Sequence, residues 1–168
     1  LLHHKTLYMT IGKSKMFENG SHHLRGQLFF FLFFFLHHYG CDVTTYARNL
    51  EDMIIQTLHV FGIDASRKEG YPGVWVDGKR KIAAEGISVN RWMTMHGVAL
   101  NVSPSMEHFR FIIPCGLKEF EATSMTECLG RAVDLLAVQS EMIRQFSTLF
   151  DIELEDISED KIVELIGH

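Results

Sequence analysis

The sequence predicts a single α+β (mixed α/β) domain in which a central mixed or antiparallel sheet is flanked by helices. The chain has 168 residues, a size that suits one domain with a sizeable core. Hydrophobic residues make up 46% and charged residues 22%, as in an ordinary globular protein. Segments typical of strands are followed by longer segments with helical spacing. A strand, a helix, several strands and then helices is the order expected of an α+β fold.

The first predicted elements are a buried strand and an amphipathic helix. Residues 28–36 contain only Phe and Leu, and the run is too short for a membrane span, which needs about 20 residues. Its length and aromatic content predict a fully buried strand. Residues 43–61 place apolar side chains three and four positions apart, which predicts a helix. Asp42 is its expected N-cap, and Gly62 follows where the helix would end.

A hairpin and a third strand follow the helix. Residues 73–76 and 81–89 predict two strands joined by an Asp-Gly turn. Residues 92–102 predict another strand, with Gly97 inside it. The strand over 81–89 is rich in small residues, which leave room for a ligand or another backbone to approach.

The remaining segments predict a short strand and more helix. Residues 109–113 form the strand, which Pro114 ends. Residues 125–150 return to helical spacing, and the acidic tail predicts a last short helix with Ser158 as its N-cap. Residues 1–27 show no clear period.

Charge and cysteine content exclude several classes of protein. The net charge is −5, with 16 Lys and Arg against 21 Asp and Glu, which disfavours binding of nucleic acid by phosphate neutralisation. Three cysteines without a CxxC pair predict a reducing compartment, no disulfide framework and no structural zinc site. Adjacent His-His pairs are poor chelates because neighbouring strand residues point to opposite faces, so no metal is expected.

The chain begins with Leu1 rather than Met, as a fragment or a chain without its leader would.

Three local strings carry a more specific signal. They are Gly-Val-Trp-Val with Lys-Ile-Ala-Ala at 73–84, Met-His-Gly-Val-Ala-Leu-Asn-Val at 95–102 and Ile-Pro-Cys-Gly-Leu at 113–117. Together with Gly-Gln-Leu at 26–28 and Ala-Thr-Ser at 122–124, they resemble the lipoyl(octanoyl) transferases. These acyltransferases of lipoate biosynthesis belong to the biotin/lipoate protein ligase fold superfamily, so the resemblance implies a catalytic domain of that fold. It runs from about Tyr39 to Gly130, and the strings fit in order and spacing.

The resemblance implies a defined reaction. The family takes an octanoyl (or lipoyl) group from acyl carrier protein and places it on a lysine of a lipoyl domain, in the 2-oxoacid dehydrogenases or the glycine cleavage H protein. The Cys of the Pro-Cys-Gly string, here Cys115, would be the nucleophile, and the Lys of the Lys-Ile-Ala string, here Lys81, its partner. A thiolate is the reactive form of cysteine, and a nearby ammonium raises the thiolate fraction. Exchange of one thioester for another needs neither ATP nor a metal, so no cofactor is expected.

The resemblance also implies a setting and a division of the chain. It implies a monomer that binds neither nucleic acid nor membrane. It also implies a location in the cytoplasm of a bacterium or in the mitochondrial or plastid matrix of a eukaryote. We expect residues 1–27 to form a divergent or incomplete N-terminal part. Residues 28–150 would then form the transferase-like catalytic domain, and residues 151–168 an acidic C-terminal helical tail.

Ten further residues match strings that bind the acyl substrate in the family. They are His23, Gly26, Gln27, Ala84, Glu85, Gly86, His96, Gly97, Val98 and Ala99. Glu85 is a departure, because the family usually has an apolar residue there. In a regular strand Glu85 shares a face with Lys81 and Ala83, where it would either pair with a cation or interrupt an apolar acyl tunnel. Taken alone, His96 is equally consistent with a hydrogen-bonded core histidine.

The N-terminal third departs further from the family, and this leaves two alternatives open. Residues 16–18 read Met-Phe-Glu where the family has Arg-Gly-Gly, and residues 24–25 read Leu-Arg in place of Gly-Pro. One alternative is an ATP-dependent lipoate- or biotin-protein ligase, which needs no nucleophilic Cys. The other is a degraded, non-catalytic remnant that binds a carrier or lipoyl domain.

The residues alone also permit simpler interpretations of the two catalytic candidates. A free cysteine is most often a small buried hydrophobe, and this interpretation applies to Cys41 and Cys128 as well as to Cys115. Lys81 follows a predicted turn, where a solvated lysine at a strand end is common.

A basic patch is expected because carrier proteins and lipoyl domains are typically acidic while this chain is acidic overall. The candidates are Arg67, Lys68, Lys79, Arg80 and Arg91, near the predicted hairpin. If they act together, their contribution to binding falls as salt is added.

Overall fold

The computed structural model describes residues 8–13, 26–33, 36, 42–104 and 120–154. Within these ranges lie a seven-stranded sheet and its helices. The strands are β1 (Tyr8–Lys13), β2 (Gln27–Phe33), β3 (Ser66–Lys68), β4 (Tyr71–Val76), β5 (Arg80–Asn90), β6 (Met93–Asn101) and β7 (Glu121–Ala122). The helices are α1 (Val43–Val60), α2 (Met125–Leu129) and α3 (Leu135–Phe150).

The sheet is mixed, and helices cover one of its faces. Its main path has the order β1-β2-β6-β5-β4-β3 with antiparallel neighbours, and β7 pairs in parallel with β5. One cluster of buried side chains joins the sheet to α1 and α3, and it includes Leu28, Leu50, Val98 and Phe146. The ring of Phe146 lies 5.6 Å from that of Phe30 on β2. The predicted α+β class, with a mixed sheet flanked by helices, is confirmed.

The Phe/Leu run forms an interior strand. β2 pairs with β1 on one side and with β6 on the other. Leu28, Phe30 and Leu32 are fully buried in the core, and Phe29, which points the other way, is 8% exposed. A strand buried on both faces reads as a continuous apolar run, which is why the sequence shows no alternation here.

Helix α1 forms where its spacing predicts it. Asp42 accepts a hydrogen bond from the Thr44 N–H (2.9 Å) and caps the first turn. The buried face consists of Tyr46, Leu50, Glu51, Met53, Ile54, Thr57 and Leu58. Gly62, with φ of +84°, lies just beyond the C-cap residue Phe61. The predicted bounds therefore hold to within one residue.

The helical region 125–150 is interrupted, which corrects the prediction. α2 ends at Gly130, which adopts the left-handed conformation with φ of +64°. Asp134 then caps α3, and its side chain accepts a hydrogen bond from the Leu136 N–H (3.0 Å). Leucine and valine at helical spacing continue across the break, so periodicity alone hides it.

The strands also differ from the prediction in detail. Trp92, predicted to begin a strand, lies with Arg91 in a turn where both residues have positive φ, so β6 begins at Met93. The structure adds β1, β3 and β7, which the sequence does not predict. β3 reads Ser-Arg-Lys and β7 reads Glu-Ala, so neither has an apolar alternation to detect.

Several predicted features fall outside the described residues. They are the strand over 109–113, the helix after Ser158, Cys41, Cys115 and His23. Of the helices that the structure describes, none has both the length and the apolar character needed to cross a membrane.

Candidate active site

A β-bulge in β5 decides which face of the sheet Lys81 occupies. Val74 pairs with Ala83 but Trp75 pairs with Lys81, so Ile82 is an additional residue between the two pairs. Ile82 and Ala83 are consecutive, yet both are buried in the core. Lys81 therefore lies beside Trp75 on the face turned away from the core, which we call the site face.

The Lys81 side chain is half-buried, and its ammonium group lies near an aromatic ring. Nζ lies 5.4 Å from the centroid of the Trp75 ring, within the range of a cation–π interaction. The side chain runs past Gly73, which has φ of +106°. A Cβ on Gly73 would lie 2.8 Å from Lys81 Cε and would overlap the carbonyl oxygen of Ala83. The absence of a side chain at position 73 therefore makes room for Lys81.

β7 joins the sheet directly beside Lys81. Lys81 pairs with Ala122, and the Thr123 N–H donates to the Lys81 carbonyl (2.9 Å). Asn101, at the end of β6, donates from Nδ2 to the Thr123 carbonyl (2.9 Å). The Gln27 amide donates in turn to Asn101 Oδ1 (2.8 Å), and this bond is buried. A chain of hydrogen bonds thus links β2, β6 and β7 at this end of the sheet.

Gly26 closes the same end of the sheet. Its carbonyl accepts hydrogen bonds from the N–H groups of Val102 (3.2 Å) and Ser103 (2.9 Å). Gly26 has φ of +93°, and a Cβ there would overlap the Ser103 backbone. The strings at 26–28, 95–102 and 122–124, which are far apart in sequence, therefore meet around Lys81.

A floor of small residues extends from Lys81 along the site face. Ala84 pairs with Ala99, and Gly86 pairs with Gly97. Ala84 and Gly86 are exposed, and Ala99 is half-buried. Phe29 on β2 pairs with Ala99 and bounds the floor on one side. The sheet here offers a flat apolar surface with space above it, as the small residues predict.

Glu85 and Val98 lie on the core face, between the residues of the floor. They pair with each other, and Val98 is 4% exposed. Ala83 and Glu85 share a face as expected, but Lys81 lies on the other face, because the bulge at Ile82 breaks the alternation between positions 81 and 83. The Glu85 side chain therefore points toward α1 and away from the floor.

Glu85 is a carboxyl group held in an unfavourable environment. Its Oε1 is buried without a hydrogen-bond partner among the described residues. Burial, and then the charge of Glu51, raise the pKa of Glu85 to about 7, while Lys81 and Arg67 oppose the rise. Burial also raises the pKa of the nearby Tyr46 to about 12; a hydrogen bond with Thr94 opposes this rise, and Glu85 adds to it. The Glu85 carboxyl group therefore titrates near neutral pH.

Glu51 is a buried carboxylate that the sequence analysis does not single out. It is 8% exposed, and Oε1 accepts a hydrogen bond from the Gly73 N–H (2.8 Å). Oε2 accepts from Arg67 Nε (2.9 Å), and Arg67 also pairs with Asp52 (2.6 Å). Glu51 therefore ties the start of β4, and with it the space for Lys81, to α1. Its position on the buried face of the predicted helix is the only signal that the sequence offers.

We expect Glu51→Ala to lower the free energy of unfolding by about 2–3 kcal/mol, because it leaves the buried Gly73 N–H unpaired. Glu51→Gln keeps an acceptor at this position, so it should cost about 1 kcal/mol. Urea denaturation followed by tryptophan fluorescence measures both. Asp52→Ala is the control, since it removes only the more exposed of the two carboxylates paired with Arg67 and should cost about 0–1 kcal/mol. Equal losses for the Ala and Gln variants of Glu51 would contradict this role.

His96 stands apart from the other candidate residues. It is exposed, pairs with Ile87 and has φ of +71°, a strained backbone conformation for a residue with a side chain. Such strain is often found at functional sites, but the structure does not bring the ring to Lys81. His23 and Cys115 lie outside the described residues.

The five basic candidates do not form one patch. Arg67 is paired with Glu51 and Asp52, and Arg80 is paired with Asp77 (2.8 Å). Arg91 follows the far end of β5, whose 11 residues span about 35 Å. Lys68 donates from Nζ to the Gly78 carbonyl (2.7 Å), and Lys79 is exposed in the β4–β5 turn. The predicted patch is therefore limited to the β4–β5 end of the sheet.

Cys128 has the surroundings of a core cysteine. It is half-buried, packs against the core and lies 3.7 Å from Thr123 Oγ1. In the described part of the chain, no group of three or more His, Cys, Asp or Glu side chains is arranged to hold a metal ion.

Known proteins are similar to this chain in sequence and in fold. The family model described as "Lipoyl protein ligase A/B catalytic domain" matches residues 22–147. An octanoyltransferase of Myxococcus xanthus is 40% identical over 141 residues, which are 81% of this chain and 40% of that protein. An octanoyltransferase of Desulforamulus reducens is 36% identical over 160 residues, which are 95% of this chain and 70% of that protein. The chain thus spans less than two thirds of the first of these relatives.

Solved structures show the same fold at low sequence identity. Lipoate-protein ligase A bound with ATP matches with a TM-score of 0.63 and 17% identity, over 82% of this chain and 58% of that chain. Biotin protein ligase from Aquifex aeolicus matches with a TM-score of 0.60 and 18% identity, over 76% of this chain and 53% of that chain. The fold that the resemblance implies is therefore confirmed. From the extent of the family match and the identity to its relatives, the chain belongs to the family of lipoyl protein ligase A/B catalytic domains.

Proposed function

We propose that this chain carries the catalytic centre of an octanoyltransferase, which moves an octanoyl group from acyl carrier protein to a lysine of a lipoyl domain. One observation carries the proposal. Lys81 is packed on the site face next to β7, and Phe120, which directly precedes β7, lies only five residues after Cys115. Five residues span at most about 18 Å, so the length of the connecting chain allows the thiol to reach the lysine. The similarity to relatives such as the Myxococcus octanoyltransferase supports this reaction.

The reaction has two steps that balance without a cofactor. The Cys115 thiolate attacks the carbonyl carbon of the carrier thioester and forms a new C–S bond. The old C–S bond then breaks, and the carrier leaves with its thiol after taking up a proton. In the second step the amine of the acceptor lysine attacks the acyl-enzyme, an amide forms and Cys115 is released as the thiol. Neither step requires ATP or a metal.

Lys81 would serve both steps through its side-chain nitrogen, which is charged in the first step and neutral in the second. As a cation near the thiol, it lowers the pKa of Cys115 and raises the thiolate fraction. In its neutral form it accepts the proton that the acceptor amine must lose. Backbone N–H groups around Cys115 and Gly116 would stabilise the oxyanion of each tetrahedral intermediate.

The floor of small residues would hold the acyl chain. Ala84, Gly86, Gly97 and Ala99 present a flat apolar surface that leads away from Lys81, which suits an unbranched aliphatic chain. Phe29 bounds this surface on the β2 side. Gly26, Gln27 and His23 would complete the acyl site, with Gln27 held in place by Asn101. His96 would lie outside it, because it pairs with Ile87, away from the floor. Glu85 and Val98 act from the core face by supporting the floor.

The partners follow from the same reaction. Acyl carrier protein would be the donor, and the lipoyl domains of 2-oxoacid dehydrogenases and the glycine cleavage H protein would be the acceptors. We propose a monomer that acts in the bacterial cytoplasm or in the matrix of a mitochondrion or plastid. Residues 28–150 would form the catalytic domain, with a divergent segment before it and an acidic tail after it.

Intact-mass spectrometry of the full chain after mixing with octanoyl-acyl carrier protein tests the proposal. We expect the mass of one octanoyl group to be added and then removed by hydroxylamine, and no addition to Cys115→Ser. Addition of ATP and octanoate in place of the carrier tests the ligase alternative, because a ligase forms an acyl adenylate and releases pyrophosphate without Cys115. A folded protein that acquires no acyl group from the carrier and releases no pyrophosphate with ATP would support the non-catalytic remnant.

Replacing Lys81 should slow acylation strongly. We expect Lys81→Met to lower the rate of acyl-enzyme formation at pH 7 by about 10²- to 10⁴-fold, the usual contribution of a positioned acid–base group. Lys79→Met is the matched control, because Lys79 is an exposed lysine two positions away on the same hairpin. Quenched-flow mass spectrometry gives both rates. A similar loss in the two variants would show that charge in the hairpin, rather than Lys81, matters.

A further inference from the structure

The floor of small residues gives way to a long side chain at Met95. The last row of the floor is the pair of Gly86 and Gly97, and the next row pairs Ser88 with Met95. A Cβ on Gly86 would meet no atom of the described residues within 4 Å, so an acyl chain has room to lie over this row. Met95 is therefore the first long side chain on β6 beyond the floor.

Met95 lies on the site face although the backbone next to it is strained. His96 has φ of +71°, yet the pairing of β5 with β6 continues across it without a change of register. Thr94 is fully buried and makes a hydrogen bond with Tyr46, a core residue of α1, so Thr94 belongs to the core face. Side chains alternate along a strand, and the half-buried Met95 side chain therefore points to the site face.

The length of the floor matches an acyl chain of about eight carbons. The four residues from Ala84 to Ser88, which lies beside Met95, span about 13 Å. Carbon atoms in contact lie about 4 Å apart, so about 9 Å remains in front of the Met95 side chain. Staggered C–C bonds of about 1.5 Å make an extended octanoyl chain about 9 Å long and a dodecanoyl chain about 14 Å long. Eight carbons fit on the floor, whereas twelve extend past Met95.

We infer that Met95 is a specificity-determining residue, which limits the acyl chain to about eight carbons by closing the far end of the floor. The inference rests on the proposed function, since it concerns the acyl chain of the same reaction. Lys81 marks the polar end of the floor, so the terminal methyl group of the chain would meet Met95. A thioether side chain is apolar and adaptable, which suits a contact with a methyl group.

Transfer from carriers with acyl chains of different length tests the inference. Intact-mass spectrometry of the full chain gives the initial rates of adduct formation with octanoyl- and dodecanoyl-acyl carrier protein. We expect the wild type to prefer octanoyl at least about tenfold and Met95→Ala to lose this preference, since a single methylene can change a rate about tenfold in an apolar pocket. Met95→Trp, which shortens the floor, should favour hexanoyl over octanoyl. The readout is a ratio of rates, so a loss of stability that slows both reactions leaves it unchanged.

Met93→Ala is the matched control for Met95→Ala. Met93 lies on the same strand and the same face, one row further from the floor, where it pairs with Asn90. Met93 is also half-buried, so the two substitutions remove similar side chains from similar surroundings. Because Met95 would stop the chain before it reaches Met93, the control should keep the wild-type ratio of rates.

A second measurement requires neither acyl transfer nor a destabilising variant. The methionine methyl groups of the wild type are labelled with ¹³C, and their NMR signals are followed as octanoate is added. The Lys81 ammonium attracts the carboxylate, so the methyl end of octanoate should shift the Met95 signal and leave the Met93 signal unchanged. Butanoate is too short to reach Met95 and should shift neither signal. Met95→Leu identifies the Met95 signal by its absence.

The outcomes separate this inference from the proposed function. If the wild type forms the octanoyl adduct but takes dodecanoyl as fast, or if Met95→Ala keeps the wild-type ratio, the role of Met95 is wrong while the transferase stands. An equal change of the ratio in Met93→Ala would also overturn it. If Met95→Ala does not fold, the NMR titration decides: a shift of the Met95 signal supports the inference, and its absence overturns it. If the wild type forms no adduct with either carrier, the proposed function fails, and the same titration decides whether Met95 bounds a surface that binds acyl chains.

Discussion

Gly73→Ala is expected to lower the free energy of unfolding by about 2–4 kcal/mol and to abolish most acyl transfer. The residue has φ of +106°, where an L side chain is strained by about 1–3 kcal/mol. A methyl group would also overlap the Ala83 carbonyl oxygen. Backbone in the middle of a sheet can move only a little to relieve such an overlap. Its other neighbour, 2.8 Å away, is Lys81 Cε, so relaxation of the clash displaces the lysine of the site.

Gly62→Ala is the matched control for the Gly73 variant. Gly62 also has positive φ, at +84°, but a Cβ there would meet nothing within 4 Å. Its loss of stability, about 1 kcal/mol, therefore measures backbone strain without a clash. Urea denaturation gives both values, and the rate of octanoyl adduct formation gives the effect on the site. Equal losses of stability in the two variants would show that strain alone accounts for Gly73.

The second large effect concerns the pH dependence of stability at Glu85. The folded protein holds the pKa of Glu85 at about 7, above the ordinary value of 4.5. Between these values the unfolded chain releases the proton while the folded chain retains it, so the folded state loses stability as the pH rises through this window. Glu85→Gln removes that loss. We expect equal stabilities of wild type and variant near pH 4, and an advantage of about 1–3 kcal/mol for the variant above pH 8.

The upper part of that range is reduced because Glu85 is only partly buried and solvent screens its charge. Chemical denaturation at half-unit steps of pH from 4 to 9 measures the difference. Glu153→Gln, at an exposed position after α3, controls for the change in net charge. A difference between wild type and Glu85→Gln that does not vary with pH would mean that the carboxyl group does not titrate in this window.

Elements with strong local signals are the ones that sequence reasoning predicts well. Helix α1 is found within a residue of its predicted bounds because Asp42 caps it and its apolar face repeats at helical spacing. The Asp77-Gly78 turn forms as expected, with positive φ at both residues. In these places the local chemistry of the chain leaves one favourable conformation.

Elements that depend on distant partners are not predictable in this way. β3 and β7 are strands only because β4 and β5 offer free edges, and their own residues are polar or few. The bulge at Ile82 adds one residue to a strand without changing its apolar character, so the faces of Lys81 and Glu85 cannot be read from their spacing. The contacts of Glu51 with Gly73 and of Phe120 with Trp75 also join segments far apart in sequence.

The candidate site also contains residues that the sequence indicates and residues that only distant contacts reveal. Family strings point to Lys81, Gly26, Gln27 and the small residues of the floor, and the structure brings these together at one end of the sheet. The residues that support this site through their contacts either lie outside the family strings or lie within a string where nothing in the sequence indicates their role. Their roles follow from packing, which only the three-dimensional arrangement reveals.

The bulge in β5 makes the effect of a one-residue deletion depend on where the deletion falls. Removing Ile82 would leave Lys81 and Ala83 consecutive, so both could keep their present partners, Trp75 and Val74. Because side chains alternate with a period of two, removing Ala84 instead would invert the positions that follow it. Glu85 and Ile87 would then turn toward the site face, while Gly86 turned toward α1. A substitution in this part of β5 alters one contact, whereas a deletion exchanges the lining of the site with part of the core.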